Sequence, residues 1–530
     1  MSFILQSKAT ANCLLASASG LALAAAFSSQ NFGLLACGAF VPLFFVIQGE
    51  SYTRVFLYTW LQGSFCNLLA LGWLCAPLQN LARASSVSAV LCLLVLAMAL
   101  AFYGAVAIAA GVRFSRYLAL PLFLTIPPAW VATEWMRTYW PLGGFPLNLL
   151  GDAAQGWPAL IQVAELTGVD GLSALIMFVN CALYEAARRE QSSSQRRQIL
   201  FGAAAVVTSV LVFGAIRIAA IEHSKPDGEL RIALVQGDIS QRSKWNPISL
   251  SSSFKVYTDG SEAALPYHPQ LIIWPESAAT FFFEPNNFYP FGMESQRAYR
   301  ARLLELAHKI DTPLLFGAPA LQFAPDVTLR NRAYLVKADG QVGDYYDKLR
   351  LVPFAEYVPS HFLLGRYMHR MVETPGGIDF SPGDRQTIFH VDGTELGVLI
   401  CYESIFPDLS RKAVKAGANL LVNITNDAAL GRTAAPRQLL AMAVFRAVEN
   451  GVPLVRVGNS GISAVITPAG RVTHTTALFT RATEVETVPW RRARTFYTSV
   501  GDLFVALCFA LSTIALAVTF LRTSSPAELS

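Results

Sequence analysis

The chain has 530 residues, 53% of them hydrophobic and only 15% charged, with a formal net charge of +5. Soluble domains carry about 25% charged residues, so a wholly soluble chain is excluded; a nucleic-acid binder is excluded too, because no basic patch interleaved with aromatics occurs. The seven histidines are scattered and no C-x-x-C or H-x-x-x-H spacing exists, so neither a metal nor another cofactor is expected.

In chain order, apolar blocks near the ~20 residues that span a bilayer fall at 9–28, 32–48, 55–74, 87–112, 117–136, 171–187, 200–218 and 500–521. These eight blocks predict a multi-pass α-helical membrane domain over 1–220, and a last membrane helix with a short tail over 496–530. Lys8 gives the first block the look of a secretory signal, but seven further spans make it a retained anchor. Loops on one side carry Arg54, Arg113, Arg116, Arg188, Arg189, Arg196, Arg197 and Arg522, whereas those on the other carry only Arg83 and Arg137. Positive loops stay in the cytoplasm, so the long polar block 221–495 is expected on the far face of a bacterial inner membrane, in the periplasm.

Within that block, apolar β-branched runs at 230–236, 271–274, 313–316, 332–337, 396–400, 420–424, 454–457 and 462–466 alternate with helical patterns at 294–310, 404–418 and 437–449. The alternation predicts an α/β domain with one core, and Gly340, Gly393 and Gly470 mark hairpin turns. Cys401 is the one thiol between His223 and Trp490, and it stands at a strand-to-helix step, Ile400-Cys401-Tyr402-Glu403. A lone thiol with no disulfide partner is either an inert core residue or a nucleophile. Trp274-Pro275-Glu276-Ser277 ends one earlier strand and Tyr346-Asp347-Lys348-Leu349-Arg350 follows another, so the three motifs can converge at one sheet edge. There Glu276 can take the thiol proton and Lys348 can supply a cation to an oxyanion, which makes acyl transfer through a thioester accessible. Read singly, Glu276 is equally a helix cap and Lys348 a solvated turn residue.

WPES, YDKLRLVPF-x-EYVP and ICYE, in this order, resemble the Glu-Lys-Cys set of the nitrilase (carbon–nitrogen hydrolase) superfamily. The flanking spans narrow the resemblance to the apolipoprotein N-acyltransferase family, and Asn423-Ile424-Thr425-Asn426-Asp427, Arg446, Glu449, Arg456 and Asn459-Ser460-Gly461 extend it along the chain. The resemblance implies an α-β-β-α sandwich and a ping-pong reaction. Cys401 would take the sn-1 acyl chain of a phospholipid, phosphatidylethanolamine typically, and pass it to the α-amine of the S-diacylglyceryl-cysteine of an apolipoprotein. Glu276 would be the general base, Lys348 the oxyanion partner and Glu356 its orienter, with Tyr402 and Glu403 shaping the turn. Trp245, Phe145, Phe282 and Asn426 would contact substrate. The aromatic runs 281–293 and 361–372 are expected to touch lipid, and the loop 143–146 to line its access route. Ala429, Leu430, Leu147, Ala355 and Leu439 depart from the family pattern, which usually has Trp, Phe, Trp, Gly and His there. Two alternatives are a membrane-tethered amidase-like hydrolase, whose soluble substrate would need no such anchor, and a non-catalytic lipid-binding paralogue, which intact Glu276, Lys348 and Cys401 argue against.

Overall fold

The computed structural model describes residues 2–80, 85–244, 247–283, 293–322, 328–358, 379–492 and 494–523. They form two compact units: Met1–Cys75 with Ser86–Glu222 and Val500–Ser530, and Ala76–Ser85 with His223–Ser499.

In the first unit six described segments are long and apolar enough to cross a membrane: Lys8–Ser28, Gln30–Ile47, Ser86–Leu118, Val169–Ala187, Ser193–His223 and Leu503–Arg522. The pair Tyr52–Ala70 and Gly72–Asn80, bent by 53°, makes a seventh when counted as one broken span. The remaining expected span coincides with Leu122–Tyr139, an 18-residue helix that falls short of that measure because Pro127, Pro128, Glu134 and Arg137 interrupt its apolar character. Ser193–His223 buries only Gly214 and leaves Phe201 79% and Ile216 63% exposed. Such a surface is stable against hydrocarbon rather than water, which marks a membrane protein. Irregular backbone in this unit is satisfied from within: the Asn180 side chain accepts from the Phe40 N–H at 2.9 Å and donates to the Ala36 carbonyl at 2.7 Å.

The second unit is built on two six-stranded sheets. The first holds β1 (Gly228–Gln236), β2 (Leu271–Ile273), β3 (Leu314–Gln322), β4 (Thr328–Val336), β5 (Val342–Asp347) and the late β12 (Ala482–Trp490), in the order β12-β1-β2-β3-β4-β5. The second holds β6 (Ile388–Val391), β7 (Thr394–Ile400), β8 (Leu420–Thr425), β9 (Leu454–Gly458), β10 (Ala464–Ile466) and β11 (Val472–Thr475), in the order β11-β10-β9-β8-β7-β6. β1, β2 and β3 run parallel, as do β7, β8 and β9; the outer pairings are antiparallel.

Side-chain alternation assigns the layers. Leu230, Ile232 and Leu234 pack with Val398, Ile400, Val422 and Ile424 in the core between the sheets, while Ala233, Val235, Ile272 and Trp274 point the other way. That outer face is covered by the helices Leu250–Ala264 and Met293–Ile310 through Phe254, Tyr257, Leu303 and Leu306. The helices Pro407–Lys415 and Ala435–Asn450 cover the second sheet, burying Leu409, Ala413, Met442 and Phe445. The result is an α-β-β-α sandwich in which each fully buried Leu, Ile or Val contributes about 1.5–3 kcal/mol. One expected element is corrected: 404–418 is not a continuous helix but a 3-10 turn, Cys401–Ile405, followed by the helix Pro407–Lys415. Pro407 holds Phe406 extended, at φ −91° and ψ 115°, and so separates the two.

Candidate active site

Three of the chemistry-bearing residues follow strand ends at one edge of the sandwich: Glu276 after β2, Lys348 after β5 and Cys401 after β7. Cys401 has φ +53°, in the left-handed region that costs a non-glycine residue about 1–2 kcal/mol. The turn is held from behind by Glu403, which is wholly buried. Its Oε2 accepts the Ile400 N–H at 2.7 Å, and its Oε1 accepts the N–H groups of Leu349 at 2.6 Å and Arg350 at 3.1 Å and the Tyr346 hydroxyl at 2.9 Å. Burial pushes this carboxyl up to about 7, against the opposing effect of those main-chain donors. One side chain therefore ties the cysteine turn to the segment that follows Lys348. A second tie is Asn423, whose amide donates to the carbonyls of Leu399 and Cys401 at 3.1 and 3.3 Å. Asn423 is fixed in turn by Arg456, which also donates to Asp427 Oδ2 at 2.9 Å. Tyr402 packs its ring edge-on against Phe406, with centroids 5.0 Å apart.

Lys348 is 1% exposed and lies between two carboxylates, with Nζ 2.8 Å from Glu356 Oε1 and 3.6 Å from Glu276 Oε1. Burial works against its charge, but Glu356 and Glu276 more than offset it and hold the ammonium above the ordinary lysine range. Asn331, on β4, bridges the same two carboxylates, its Nδ2 donating to Glu276 Oε1 at 2.7 Å and Glu356 Oε1 at 3.0 Å. Glu276 Oε2 accepts the Asn426 N–H at 3.0 Å, and Glu356 Oε2 accepts the Val352 N–H at 2.8 Å. Backbone close packing sets the position of Glu276: a Cβ on Gly317 of β3 would come within 2.6 Å of the Ser277 nitrogen and 2.8 Å of the Glu276 Cα. No side chain fits there without moving Glu276.

Burial pushes the Cys401 thiol up to about 12; the Glu276 carboxylate adds to the rise, while Lys348 and a hydrogen bond with Thr425 oppose it. A second lysine shares the site. Lys244 is 2% exposed, donates to the Glu276 main-chain carbonyl at 2.8 Å, and interacts electrostatically with Glu276 and Cys401. Burial draws its ammonium down to about 8. The arrangement can therefore take a proton at Glu276, make a sulfur nucleophile at Cys401 and place a permanent cation at Lys348 for an oxyanion.

The substrate-contact expectations divide. Asn426 stands beside Glu276, but its side chain is engaged with Gln241 at 3.1 Å and Asn459 at 3.0 Å. Phe145 belongs to the helical unit, where its N–H donates to the Arg137 carbonyl at 2.8 Å. Phe282 is half-buried, whereas Phe281 and Phe283 are core residues, Phe281 packed at a tilt against Tyr299 and Phe283 edge-on against Phe316 and at a tilt against Tyr334; the expectation that these two touch lipid is corrected by their burial. Trp245, the aromatics of 284–292 and the run 361–372 lie outside the described residues. Asn331 and Lys244 are absent from the sequence reading. An isolated asparagine carries no pattern, and the one signal for Lys244 was its place directly before Trp245.

The carbon–nitrogen hydrolase family matches residues 231–495 and the apolipoprotein N-acyltransferase N-terminal domain matches 19–182. The chain is similar to an apolipoprotein N-acyltransferase of Geobacter metallireducens, 35% identical with 96% of each chain covered. It is also similar to one of Allorhizobium ampelinum, 32% identical over 87% of this chain and 86% of the relative. Among solved structures, an amidase of the nitrilase superfamily from Nesterenkonia AN1 aligns with a TM-score of 0.39 and 23% identity, over 53% of this chain and 97% of the amidase.

Proposed function

The chain belongs to the apolipoprotein N-acyltransferase family and is an acyltransferase of lipoprotein maturation; we propose that it works through a Cys401 thioester, with Glu276 as base and Lys348 as oxyanion partner. The observation that carries this reading is the convergence of the three groups: Lys348 Nζ is 3.6 Å from Glu276 Oε1, and both act on the Cys401 thiol.

In the first half-reaction Glu276 takes the Sγ proton as the sulfur attacks the sn-1 ester carbonyl of a phospholipid, phosphatidylethanolamine being the expected donor. Charge builds on the carbonyl oxygen, and Lys348 stabilises it. The intermediate collapses by breaking the carbon–oxygen bond, and protonated Glu276 returns its proton to the departing lysophospholipid. In the second half the α-amine of a diacylglyceryl-cysteine attacks the thioester while Glu276 takes a proton from it. The carbon–sulfur bond breaks, the amide forms, and the Glu276 proton restores the thiol. Each proton taken is given back within its half-reaction, so the base is regenerated twice per turnover. Glu356 and Asn331 keep Lys348 and Glu276 apart yet in contact, and Glu403 holds the turn rather than meeting substrate. The reading places the second unit on the periplasmic face, where both lipid-anchored substrates are held.

Labelled phosphatidylethanolamine and a diacylglyceryl-cysteine peptide, supplied together to the purified full chain, test it. Label is expected on the peptide as an amide, with Cys401→Ala inactive. Label released only as free fatty acid would instead make the protein a hydrolase.

A further inference from the structure

Lys244 closes a one-turn helix, Gln241–Lys244, whose main chain is anchored by the Lys244 N–H on the Ser240 carbonyl at 3.0 Å. This turn grips the base from two directions. Lys244 Nζ donates to the Glu276 main-chain oxygen at 2.8 Å, while Gln241 Oε1 accepts from Asn426, whose own N–H donates to Glu276 Oε2. Taking an ammonium out of water is costly, and buried lysines are usually compensated by a carboxylate at ion-pair distance. Lys348 has two such partners. Lys244 is as deeply buried, yet among the described residues its hydrogen-bond partner is a neutral carbonyl. The Glu276 carboxylate offsets part of that cost; once Glu276 has taken the thiol proton and is neutral, the anion the reaction creates in its place is the Cys401 sulfur.

We propose that Lys244 is a positioning residue of the acyl-transfer site, a second cation that clamps the Glu276 backbone and stabilises the sulfur anion as it forms. The inference rests on the thioester reading and deepens it by dividing the labour between two lysines. Lys348, locked between Glu356 and Glu276, stays charged throughout and serves the oxyanion. Lys244 donates to the Glu276 main chain and interacts electrostatically with Glu276 and Cys401, with Lys348 and Asp427 as the further charges acting on the thiol. Its lowered pKa, about 8, means that it loses its charge within the working range of an enzyme. The sign follows: below pH 8 Lys244 is protonated and favours the thiolate, and above it this support is withdrawn.

Cys401 carbamidomethylation by iodoacetamide, followed on the Cys401 peptide of the full chain in detergent between about pH 6.5 and 9.5, reads this without any acyl donor. In the wild type the logarithm of the rate should rise with pH at unit slope and then flatten around pH 8. Lys244→Arg, which keeps its charge, should remove the flattening and retain the rate at pH 7 within about twofold. Lys244→Met should also be unbent, but about tenfold slower at pH 7, one pKa unit of thiolate destabilisation. A bend that persists in both variants, or a methionine variant as fast as wild type at pH 7, would overturn the proposal. Failure of the thioester reading would look different: the bend would be present and no lysophospholipid would be released from phospholipid.

Discussion

A thiol pushed up to about 12 is neutral in the resting site, so Cys401 cannot act as a stored thiolate. In the proposed mechanism the nucleophile is made during attack, which gives Glu276 two opposed effects. Its charge raises the thiol pKa, and its lone pair removes the proton. Glu276→Gln separates them. The first half-reaction should fall by at least about 10²-fold for want of a base, yet Cys401 alkylation at pH 8 should become faster, because a negative charge beside the sulfur is gone. Slower alkylation in that variant would contradict the electrostatic picture. Asn331 offers a second test, since its single NH₂ group serves both Glu276 and Glu356. Hydrogen bonds to charged groups are worth about 1.5–3 kcal/mol, so Asn331→Ala should slow lysophospholipid release by about 10- to 100-fold. Release at the wild-type rate would remove Asn331 from the machinery. The convergence of Glu276, Lys348 and Cys401 was legible in the sequence because each stands in a patterned motif near a strand end. Lys244 and Asn331 were not, because their roles come from the backbone oxygen and carboxylates that folding brings to them.

At the scale of elements, the strands that sequence reading finds are the ones buried on both faces. β1, β2, β3, β4, β7, β8, β9 and β10 all show as apolar or β-branched runs, and all lie inside their sheets. The four that escape it, β5, β6, β11 and β12, are the four sheet edges. An edge strand has one hydrogen-bonded neighbour and keeps polar side chains outward, so Val342–Asp347 and Ala482–Trp490 read as loops. The turns gave them away indirectly: Gly340, Gly393 and Gly470, with φ of +79°, +75° and +76°, begin or end these edges. The strand ends carry the site, and their precision depends on close backbone approach. Gly317→Ala in β3 should leave the circular dichroism spectrum unchanged while slowing the first half-reaction by at least about tenfold, because an ångström of misplacement at a base is worth up to about 10² in rate. An alanine variant with full activity would show that the space above β3 does not position Glu276.

At the scale of the whole molecule, composition announced a membrane protein before any motif did, since hydrocarbon-length apolar runs leave few other solutions. The helix Leu122–Tyr139 is the span that hydropathy describes least well, because Glu134 and Arg137 are buried inside the unit, where they hold the 147–150 backbone through the Leu147, Asn148 and Leu150 main chain. Joining a hydrolase-type sandwich to membrane helices suits a reaction whose donor and acceptor are both anchored by acyl chains. Anchoring of this kind confines the search to two dimensions. The acyl-enzyme is the species on which the proposed mechanism depends. Purified protein exposed to phosphatidylethanolamine without acceptor, and analysed by intact-mass and peptide mass spectrometry, should gain one acyl chain on Cys401. Hydroxylamine at neutral pH should release that chain, and Glu276→Gln should abolish the gain. No added mass, or an acyl group on any residue other than Cys401, would contradict the thioester mechanism.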